Sequence, residues 1–275
     1  MNQEQEIDLK FKHLKQKLAN LGSVAVAFSG GVDSAFLLKT AHDVLGGRAA
    51  AVTIQSAVFP VRESDEAADF CKRYKIRQSV HTLDPLKIEG FAENPPNRCY
   101  LCKYQMMQAV LAAAQELKLV YAAEGSNTDD AGDYRPGHHA VAELGILSPL
   151  REAGLSKAEI RELSRQMGLP TWDKQSYACL ASRFVYGEEI TPEKLVMVGR
   201  AEQLLLDLGF HQMRVRIHGR MARIEVLPQE FCRLMEEKVR EQIVKSFQAY
   251  GFTYVTMDLK GYRTGSMNEA IGLRN

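Results

Sequence analysis

Three cysteines are the residues whose type and spacing most directly suggest chemistry. "RCYLCK" at 98–103 contains Cys99 and Cys102, and "YACLASRF" at 177–184 contains Cys179. A zinc site would need a fourth ligand, which His138 or His139 could supply. A redox pair would need both thiols at a helix start, whereas an iron–sulfur cluster on three thiolates would keep one iron open. Small buried side chains are the remaining interpretation, and the residues alone leave all of these open.

The cysteine count and the N-terminal residues indicate a reducing compartment. The chain has 5 cysteines, and an odd number makes structural disulfides a poor explanation. The polar start "MNQEQEIDLKFKHLKQKL" is unlike a secretory signal. No apolar run approaches the ~18 residues of a membrane span, so we expect a cytoplasmic protein with no membrane partner. Cys71 and Cys232 occupy apolar positions of helical stretches and are expected to be buried.

A glycine-rich stretch, "FSGGVDS" at 28–34, joins an apolar run to a helical pattern. Gly30 and Gly31 allow a tight turn and a close approach to an anion. Ser29 and Ser34 can donate hydroxyl hydrogen bonds, and the helix start adds N–H groups and a favourable dipole. The Gly-Lys-Ser/Thr end of a Walker loop and the glycine spacing of a dinucleotide fingerprint are both missing. The stretch therefore predicts a phosphate loop of another kind, since an ordinary βα turn would not explain the serines.

Short apolar runs alternate with helical patterns through the first part of the chain, which positions this loop. The predicted strands are 23–29, 49–56, 77–84 and 119–126, and the predicted helices are 34–46, 64–75, 103–118 and 156–168. Ser156, with Glu159 three residues later, is a capping box for the last of these helices. The alternation is typical of an α/β fold with a doubly wound parallel sheet, where ligands bind beyond the carboxyl ends of the strands.

The pattern changes after "LPTW" at 169–172. The later part is predicted to contain helices at 192–208 and 228–250 and β-rich runs at 212–219, 221–227 and 253–259. This order of elements indicates a small α+β domain. We therefore expect a first domain over 1–186 and a second over 187–275, which binds substrate and supports oligomerisation.

The phosphate loop carries a family resemblance. "SGGVDS" resembles the signature of the PP-loop ATP pyrophosphatases, which cleave ATP to AMP and pyrophosphate while they adenylate a carbonyl or carboxylate oxygen. By this resemblance the pyrophosphate is held by Ser29, Gly30, Gly31, Asp33 and Ser34, with Mg²⁺ nearby.

A second stretch, "EGSNTDD" at 124–130, resembles the second motif of the same family. The resemblance implies that Gly125 lets the backbone pass the nucleotide. It also implies that Asp129 or Asp130 holds the metal, and we assign catalytic roles to Asp33 and Asp130. The same residues also suit a helix N-cap, and both interpretations can hold together.

Longer motifs resemble a single branch of that superfamily, the ATP-dependent sacrificial sulfur transferase (LarE-like) family. They are "GDYRPGHHA" (132–140), "YACLASRFVYGEEIT" (177–191), "RVRIHGRMARIEV" (214–226) and "GFTYVTMDLKGYRTGSMN" (251–268). The resemblance implies adenylation of a carboxylate of pyridinium-3,5-biscarboxylic acid mononucleotide, followed by its conversion to a thiocarboxylate. It also implies a homo-oligomer and the transfer of the product to a downstream nickel-insertion protein.

The family has two sulfur strategies, and this sequence departs twice from the sacrificial one. The alignment places the sacrificial donor cysteine at Ala178, one residue before Cys179, and an aromatic residue at the position of Cys99. The sequence thus resembles the subtype in which three cysteines hold a [4Fe-4S] cluster that binds hydrosulfide. Cys99, Cys102 and Cys179 are the implied ligands. The rival is a sacrificial Cys179, which would become dehydroalanine.

Charged residues in the later motifs suit an anionic substrate. Arg214 and Arg216 alternate on a predicted strand and face one side, and guanidinium groups suit phosphates and carboxylates. The resemblance implies that both bind the substrate phosphate, although an edge strand with a solvated face would show the same pattern. Glu202 and Glu225 align with acidic residues near the substrate or metal site of the family. Arg183, Arg135 and Lys103 are further candidates, because their charges can neutralise phosphates.

Other functions remain open. Cluster-dependent tRNA thiolation by a PP-loop enzyme is one rival. The formal net charge of +1 and the absence of a basic stretch with interleaved aromatics argue against a nucleic-acid partner. A non-catalytic nucleotide-binding module or an amidating ligase would leave the three cysteines without a role.

Overall fold

The computed structural model describes residues 3–132, 137–175, 178–263 and 266. Contacts divide the chain into two units. The first comprises Met1–Ser56, Val61–Asp84 and Cys99–Ser176, and the second comprises Ala57–Pro60, Pro85–Arg98 and Tyr177–Asn275. The second unit thus starts earlier than Gly187, the first residue of the predicted second domain, and it takes in two short stretches from the first half of the sequence.

The first unit is built on a parallel sheet. Its strands are β1 (Val24–Ala27), β2 (Ala49–Gln55), β3 (Arg77–Thr82) and β4 (Tyr121–Ala123). Their order is β3-β2-β1-β4, so the chain builds outward from β1 and then returns to its other side. The reversal between β1 and β4 is the topological switch point, where ligands bind in open α/β sheets.

Helices cover both faces of this sheet. They are α1 (Gln3–Leu21), α2 (Val32–Leu45), α3 (Val61–Tyr74), α4 (Arg98–Glu116), α5 (Gly137–Glu143), α6 (Pro149–Glu152) and α7 (Lys157–Gln166). Val24 and Val26 join the core formed with α1, α2, α3 and α7, whereas Ala25 joins the core formed with α4 and α5. Because successive strand residues face opposite sides, these are two cores on the two faces. The predicted α/β fold with a doubly wound sheet is confirmed.

Helix α4 begins earlier than the sequence suggested. The prediction placed its start at Lys103, after both cysteines, but the helix starts at Arg98. The Arg98 N–H donates to the Pro95 carbonyl in the turn that leads into the helix. An i, i+4 series of core-facing residues extends back from Val110 through the partly buried Met106 to Cys102. Both cysteines therefore lie on the helix rather than before it.

The second unit is a small α+β structure, as predicted. Its elements are α8 (Pro192–Asp207), β5 (Arg214–His218), β6 (Met221–Glu225), α9 (Phe231–Met235), α10 (Glu237–Tyr250) and β7 (Tyr254–Met257). The sheet order is β5-β6-β7, with an antiparallel pair followed by a parallel pair.

The long helix predicted over 228–250 was wrong in one respect, because it breaks at Glu236. This residue has an extended backbone between α9 and α10. Leu234 and Ile243 are both buried, yet they are about two and a half helical turns apart. A continuous helix would point them to opposite sides, and the break lets both face the core.

The helices within the described residues are either too short or too polar to cross a lipid bilayer.

Candidate active site

The predicted phosphate loop links β1 to the start of α2. Gly30 has φ +75, the left-handed region in which glycine is favoured. Ser34 Oγ lies 3.2 Å from Ser29 Oγ and donates to the Gly31 carbonyl at 3.2 Å. The loop is thus closed on itself by hydroxyl groups, next to the free N–H groups of the first turn of α2.

Gly125 brings the end of β4 against this loop. A Cβ atom at Gly125 would lie 3.0 Å from the Ser34 nitrogen and 3.2 Å from the carbonyl carbon of Asp33. Such short contacts with backbone are rare for real Cβ atoms, so a side chain at this position would force the two segments apart by a few tenths of an ångström. The two motif stretches meet at the switch point. The structure thus gives a reason for this glycine that is separate from its predicted role beside the nucleotide.

Asp33, in the first turn of α2, lies in a polar cluster. One carboxylate oxygen is in ion-pair contact with Lys157 Nζ, and the other accepts a hydrogen bond from Asn127 Nδ2 at 3.4 Å. Burial raises the pKa of Asp33 and the charge of Asp130 adds to this, which together outweigh the opposite effects of Lys157 and Asn127. Asp33 and Asp130 are therefore close enough to interact, and carboxylate oxygens are the donors that Mg²⁺ takes alongside phosphates.

The two aspartates of the second motif also organise the backbone around them. Asp129 accepts the backbone N–H of Lys157 at 2.9 Å, at the start of α7, and Asp130 accepts that of Asn127 at 2.9 Å. Asn127 Oδ1 in turn accepts the Asp129 N–H at 2.9 Å. These contacts fit the capping interpretation, which is compatible with a metal role.

Two lysines beside the loop were missed by the sequence reasoning. Besides Lys157, Lys174 donates to the Gly30 carbonyl at 3.0 Å and lies 2.5 Å from a carboxylate oxygen of Glu66. Arg161 donates to the Lys174 carbonyl at 2.8 Å and so helps to hold this turn in place. No sequence signal marks Lys174, whereas Lys157 could have been noticed as the first residue of a capped helix.

Glu124, at the end of β4, is a buried carboxylate that the sequence reasoning also missed. It accepts hydrogen bonds from Ser148 Oγ at 2.7 Å and Ser126 Oγ at 2.8 Å, and Lys103 Nζ lies 3.8 Å away. Burial acts to raise the pKa of Glu124, but Lys103 and the serine donors outweigh it, and the pKa is lowered. Lys103, predicted near phosphates, is thus placed beside a carboxylate.

The cysteines occupy different environments. Cys99 is exposed, whereas Cys102 is buried with its Sγ 3.8 Å from Met106 Sδ. Burial raises the pKa of Cys71 to about 12, which makes this thiol inert. The expectation that Cys232 is buried was wrong: it is exposed on α9, because Leu234, which lies on the other side of the short helix, faces the core.

The second unit brings together all five substrate residues predicted there. Arg183 is 1% exposed and forms a two-pronged ion pair with Glu202, both contacts at 2.7 Å. Glu202 also accepts the Val215 N–H at 2.9 Å. Burial acts to raise the pKa of Glu202, but Arg183 outweighs it and the pKa is lowered. Glu202 is therefore negatively charged and lies beside the N-terminal end of β5.

The other members of this cluster lie on the paired strands β5 and β6. Arg216 donates to Glu225 at 3.1 and 3.0 Å and to the Ser182 carbonyl at 3.0 Å. Arg214 lies over the Tyr262 ring at 5.2 Å, and burial, with repulsion from Arg183, lowers its pKa. These described residues contribute three guanidinium groups against the carboxylates Glu202 and Glu225, which suits an anionic ligand.

Cys179 is half-buried beside this cluster. Its carbonyl accepts Ser182 Oγ at 2.7 Å and an Arg183 nitrogen at 3.2 Å, and the 3₁₀ turn at Leu180–Arg183 follows it. The backbone of the third cysteine is thus fixed by residues of the predicted substrate site.

The three cysteines implied as ligands of an iron–sulfur cluster come from both units. Cys99 and Cys102 belong to the first unit and Cys179 to the second. Across the described residues, no group of three or more His, Cys, Asp or Glu side chains is placed to hold a metal ion. Arg135, predicted at the nucleotide, lies outside the described residues.

Known proteins are similar to the chain over nearly its whole length. An uncharacterized protein of Synechocystis sp. is 40% identical over 265 residues, 96% of this chain and 99% of that protein. The pyridinium-3,5-bisthiocarboxylic acid mononucleotide synthase of Lactiplantibacillus plantarum is 36% identical over 256 residues, 92% of each chain. The chain belongs to this synthase family. No protein-family model matches it.

A second group of enzymes is similar to about two thirds of the chain. A subunit of the glutamine-hydrolyzing GMP synthase of Thermoplasma acidophilum is 28% identical over 203 residues, 68% of this chain and 64% of that protein. This member of the synthase family is therefore an ATP-using enzyme of the PP-loop superfamily. The predicted LarE-like resemblance is confirmed.

Proposed function

We propose that the enzyme adenylates a carboxylate of pyridinium-3,5-biscarboxylic acid mononucleotide and exchanges the activated oxygen for sulfur. The carboxylate oxygen attacks the α-phosphorus of ATP and pyrophosphate leaves. A sulfur nucleophile then attacks the acyl carbon, AMP leaves, and a thiocarboxylate remains. The observation that carries the proposal is the buried cluster of arginines and glutamates around Cys179, in a chain that also has the phosphate loop.

The phosphate loop supplies the binding groups for ATP. The hydroxyls of Ser29 and Ser34 and the N–H groups of the first turn of α2 suit the pyrophosphate portion. Asp33 and Asp130 are the residues that would hold Mg²⁺, which neutralises phosphate charge when it is bound. The ammonium of Lys174, held at the Gly30 carbonyl at 3.0 Å, adds a positive charge beside the departing pyrophosphate.

The guanidinium groups of the second unit suit the anionic acceptor. Arg214 and Arg216 would bind its phosphate, while Glu202 and Glu225 fix the directions of Arg183 and Arg216. Because Arg183 also donates to the Cys179 carbonyl at 3.2 Å, binding of the acceptor and the position of the cysteine backbone are linked. This coupling suits a reaction in which sulfur must reach one carbon atom.

Two sulfur sources are compatible with the cysteines. In the first, Cys99, Cys102 and Cys179 would hold a [4Fe-4S] cluster, which would supply a site for an external hydrosulfide. The C-x-x-C spacing of the pair on α4 supports this route. In the second, Cys179 gives up its own sulfur and becomes dehydroalanine, which the fixed Cys179 backbone would also allow.

The acceptor is tested by incubating the protein with ATP, sulfide and either the pyridinium mononucleotide or tRNA. We expect AMP and pyrophosphate to form only with the mononucleotide, with Asp33→Ala inactive and the exposed Asp43→Ala unaffected. AMP formation that depends on tRNA would instead identify a tRNA-thiolating enzyme. AMP formation with neither acceptor would refute the proposed substrate.

The sulfur source is tested by iron and sulfide counts and by protein mass after turnover. Under anaerobic conditions we expect iron in the wild type and a large loss of iron in Cys99→Ser and Cys179→Ala. The exposed Cys232→Ser variant should retain it. Turnover without added sulfide, accompanied by the loss of H₂S mass from Cys179, would establish the sacrificial route and exclude the cluster.

We further propose a cytoplasmic homo-oligomer that passes its product to a nickel-insertion protein. Sedimentation equilibrium of the purified chain tests the oligomer, and a single species at 30.8 kDa would contradict it. Co-elution with a nickel-inserting enzyme tests the transfer.

A further inference from the structure

Arg98 is a buried arginine that the proposed function has not used. It is the first residue of α4 and is only 4% exposed. Its Nη1 atom is buried without a hydrogen-bond partner, and none of the carboxylates in the described chain forms an ion pair with it. Arg183 and Arg216 are buried to a similar degree, but both are paired with glutamates.

The guanidinium of Arg98 is held in place by an aromatic ring. It lies 4.5 Å from the centroid of the Tyr186 ring, and both residues belong to the second unit. The surrounding backbone is also fixed: Asn94 Nδ2 donates to the Val185 carbonyl at 2.6 Å, and the Gly187 N–H donates to the Asn94 carbonyl at 3.0 Å. The orientation of the guanidinium plane is therefore defined by packing.

A positive charge in this position is costly unless an anion meets it. Stacking on an aromatic ring offsets only part of the cost of burying an unpaired ion. A ring against the guanidinium does not satisfy its N–H donors, and these donors match a carboxylate in a two-pronged geometry. Buried unpaired groups of this kind call for a ligand or an ordered solvent molecule.

We propose that Arg98, oriented by Tyr186, binds a carboxylate of an aromatic dicarboxylate, namely the acceptor carboxylate that is not being activated. This assignment rests on the proposed function. Arg214 and Arg216 then serve the phosphate end of the acceptor and Arg98 serves its ring. Arg98 immediately precedes Cys99 in the chain. The residue that would bind the ring carboxylate is thus the neighbour of the cysteine pair in the sequence.

The test measures binding of three separate probes by calorimetry: pyridine-3,5-dicarboxylate, ribose 5-phosphate and inorganic pyrophosphate. We expect Arg98→Gln and Arg98→Lys to weaken dicarboxylate binding by at least ~10-fold, since lysine cannot form the two-pronged contact. Binding of the two phosphate probes should not change. Arg200→Gln is the matched control, because Arg200 also stacks on a tyrosine, Tyr250 at 4.2 Å, but is exposed.

A second measurement needs no substitution at the site. In wild-type protein with labelled arginine, the Nε–H resonance of Arg98 should shift when pyridine-3,5-dicarboxylate is added and should stay in place with ribose 5-phosphate. Equal dicarboxylate affinity in wild type and Arg98→Gln, or an unmoved Arg98 resonance, would overturn the inference. A shift caused by ribose 5-phosphate instead would also overturn it, by assigning Arg98 to the phosphate.

Failure of the proposed function would look different. If the wild type binds the dicarboxylate through Arg98 but forms no AMP with the mononucleotide, the carboxylate site stands and the proposed reaction falls. If the wild type forms AMP with the mononucleotide while Arg98→Gln keeps the same KM and dicarboxylate affinity, the reaction stands and the role of Arg98 falls.

Discussion

Lys157, the first residue of α7, forms an ion pair with Asp33, in the first turn of α2. The lysine ammonium thus contacts the same carboxylate that the PP-loop resemblance assigns to the binding of Mg²⁺ and ATP. Asn127 holds the other oxygen at 3.4 Å, and Asp130 is close enough to influence the charge of Asp33. A bound cation must therefore compete with a cation that the chain already provides.

The first prediction concerns this competition. Replacing Lys157 by methionine leaves Asp33 and Asp130 without the lysine charge, so nucleotide-free protein should bind a divalent cation several-fold more tightly. Mn²⁺ binding followed by electron paramagnetic resonance measures this. Lys39→Met is the control, because Lys39 pairs with Asp43 at 2.5 Å away from the loop. Equal Mn²⁺ affinity in wild type and Lys157→Met would contradict the idea that the lysine competes.

The second prediction concerns the buried pair Arg183 and Glu202. Glu202→Gln removes the counter-charge of a guanidinium that is 1% exposed, and such a loss destabilises proteins by about 3–5 kcal/mol. Urea unfolding of the two proteins at neutral pH measures the difference. Glu162→Gln, which breaks the exposed pair with Arg165, should leave the unfolding midpoint almost unchanged. A similar small effect at Glu202 would show that the pair is not rigidly buried.

The third prediction concerns pH and the first unit. The pKa of Glu124 is lowered in the folded protein, so its charged form stabilises the fold above the unfolded pKa of about 4.3. This contribution is lost as the pH falls from that value through the lower folded pKa. The measurement is urea unfolding between about pH 3 and about pH 7, which spans the reference pKa of Glu. The free energy of unfolding should depend less on pH in Glu124→Gln than in the wild type. An identical pH profile for variant and wild type would rule out this carboxylate as a source of acid sensitivity.

The fourth prediction concerns Gly125. Alanine there would place a Cβ 3.0 Å from the Ser34 nitrogen, and such overpacking costs about 1–3 kcal/mol. The phosphate loop must shift to relieve it, so ATP affinity should fall together with the thermal unfolding temperature. Gly47→Ala is the control, because nothing lies within 4 Å of the added atom there. Unchanged ATP affinity in Gly125→Ala would mean that the two motif stretches are free to separate.

The sheet and its loops could be predicted from sequence because local signals agreed with the global fold. The apolar run at Val24–Ala27, the glycines at 30 and 31 and the helix from Val32 each indicate the same strand–loop–helix unit. Ser156 and Glu159 form the capping box that their spacing predicts. The break at Glu236 could not be predicted in this way, because it depends on which side of each helix faces the core.

The site was only partly predictable for a related reason. Arginines and glutamates of the second unit were found through family motifs and do form one cluster. Lys174 and Glu124 have no distinctive spacing in the sequence. Lys157 and Lys174 reach the phosphate loop through contacts between residues far apart in the chain. Arg98 stands next to Cys99 in the sequence, but only the structure shows that its guanidinium is buried with an unpartnered Nη1 atom.

The two stretches that the second unit takes from the first half of the chain have a consequence for synthesis on the ribosome. All four strands of the parallel sheet end by Ala123, so this sheet can form while the chain is still being made. The segment at Pro85–Arg98, by contrast, finds its hydrogen-bond partners at Val185, Gly187 and Ile190. During synthesis the segment therefore stays without these partners until residues 185–190 have left the ribosome. A chain that ends before Tyr186 would expose Arg98 without the aromatic ring that orients it.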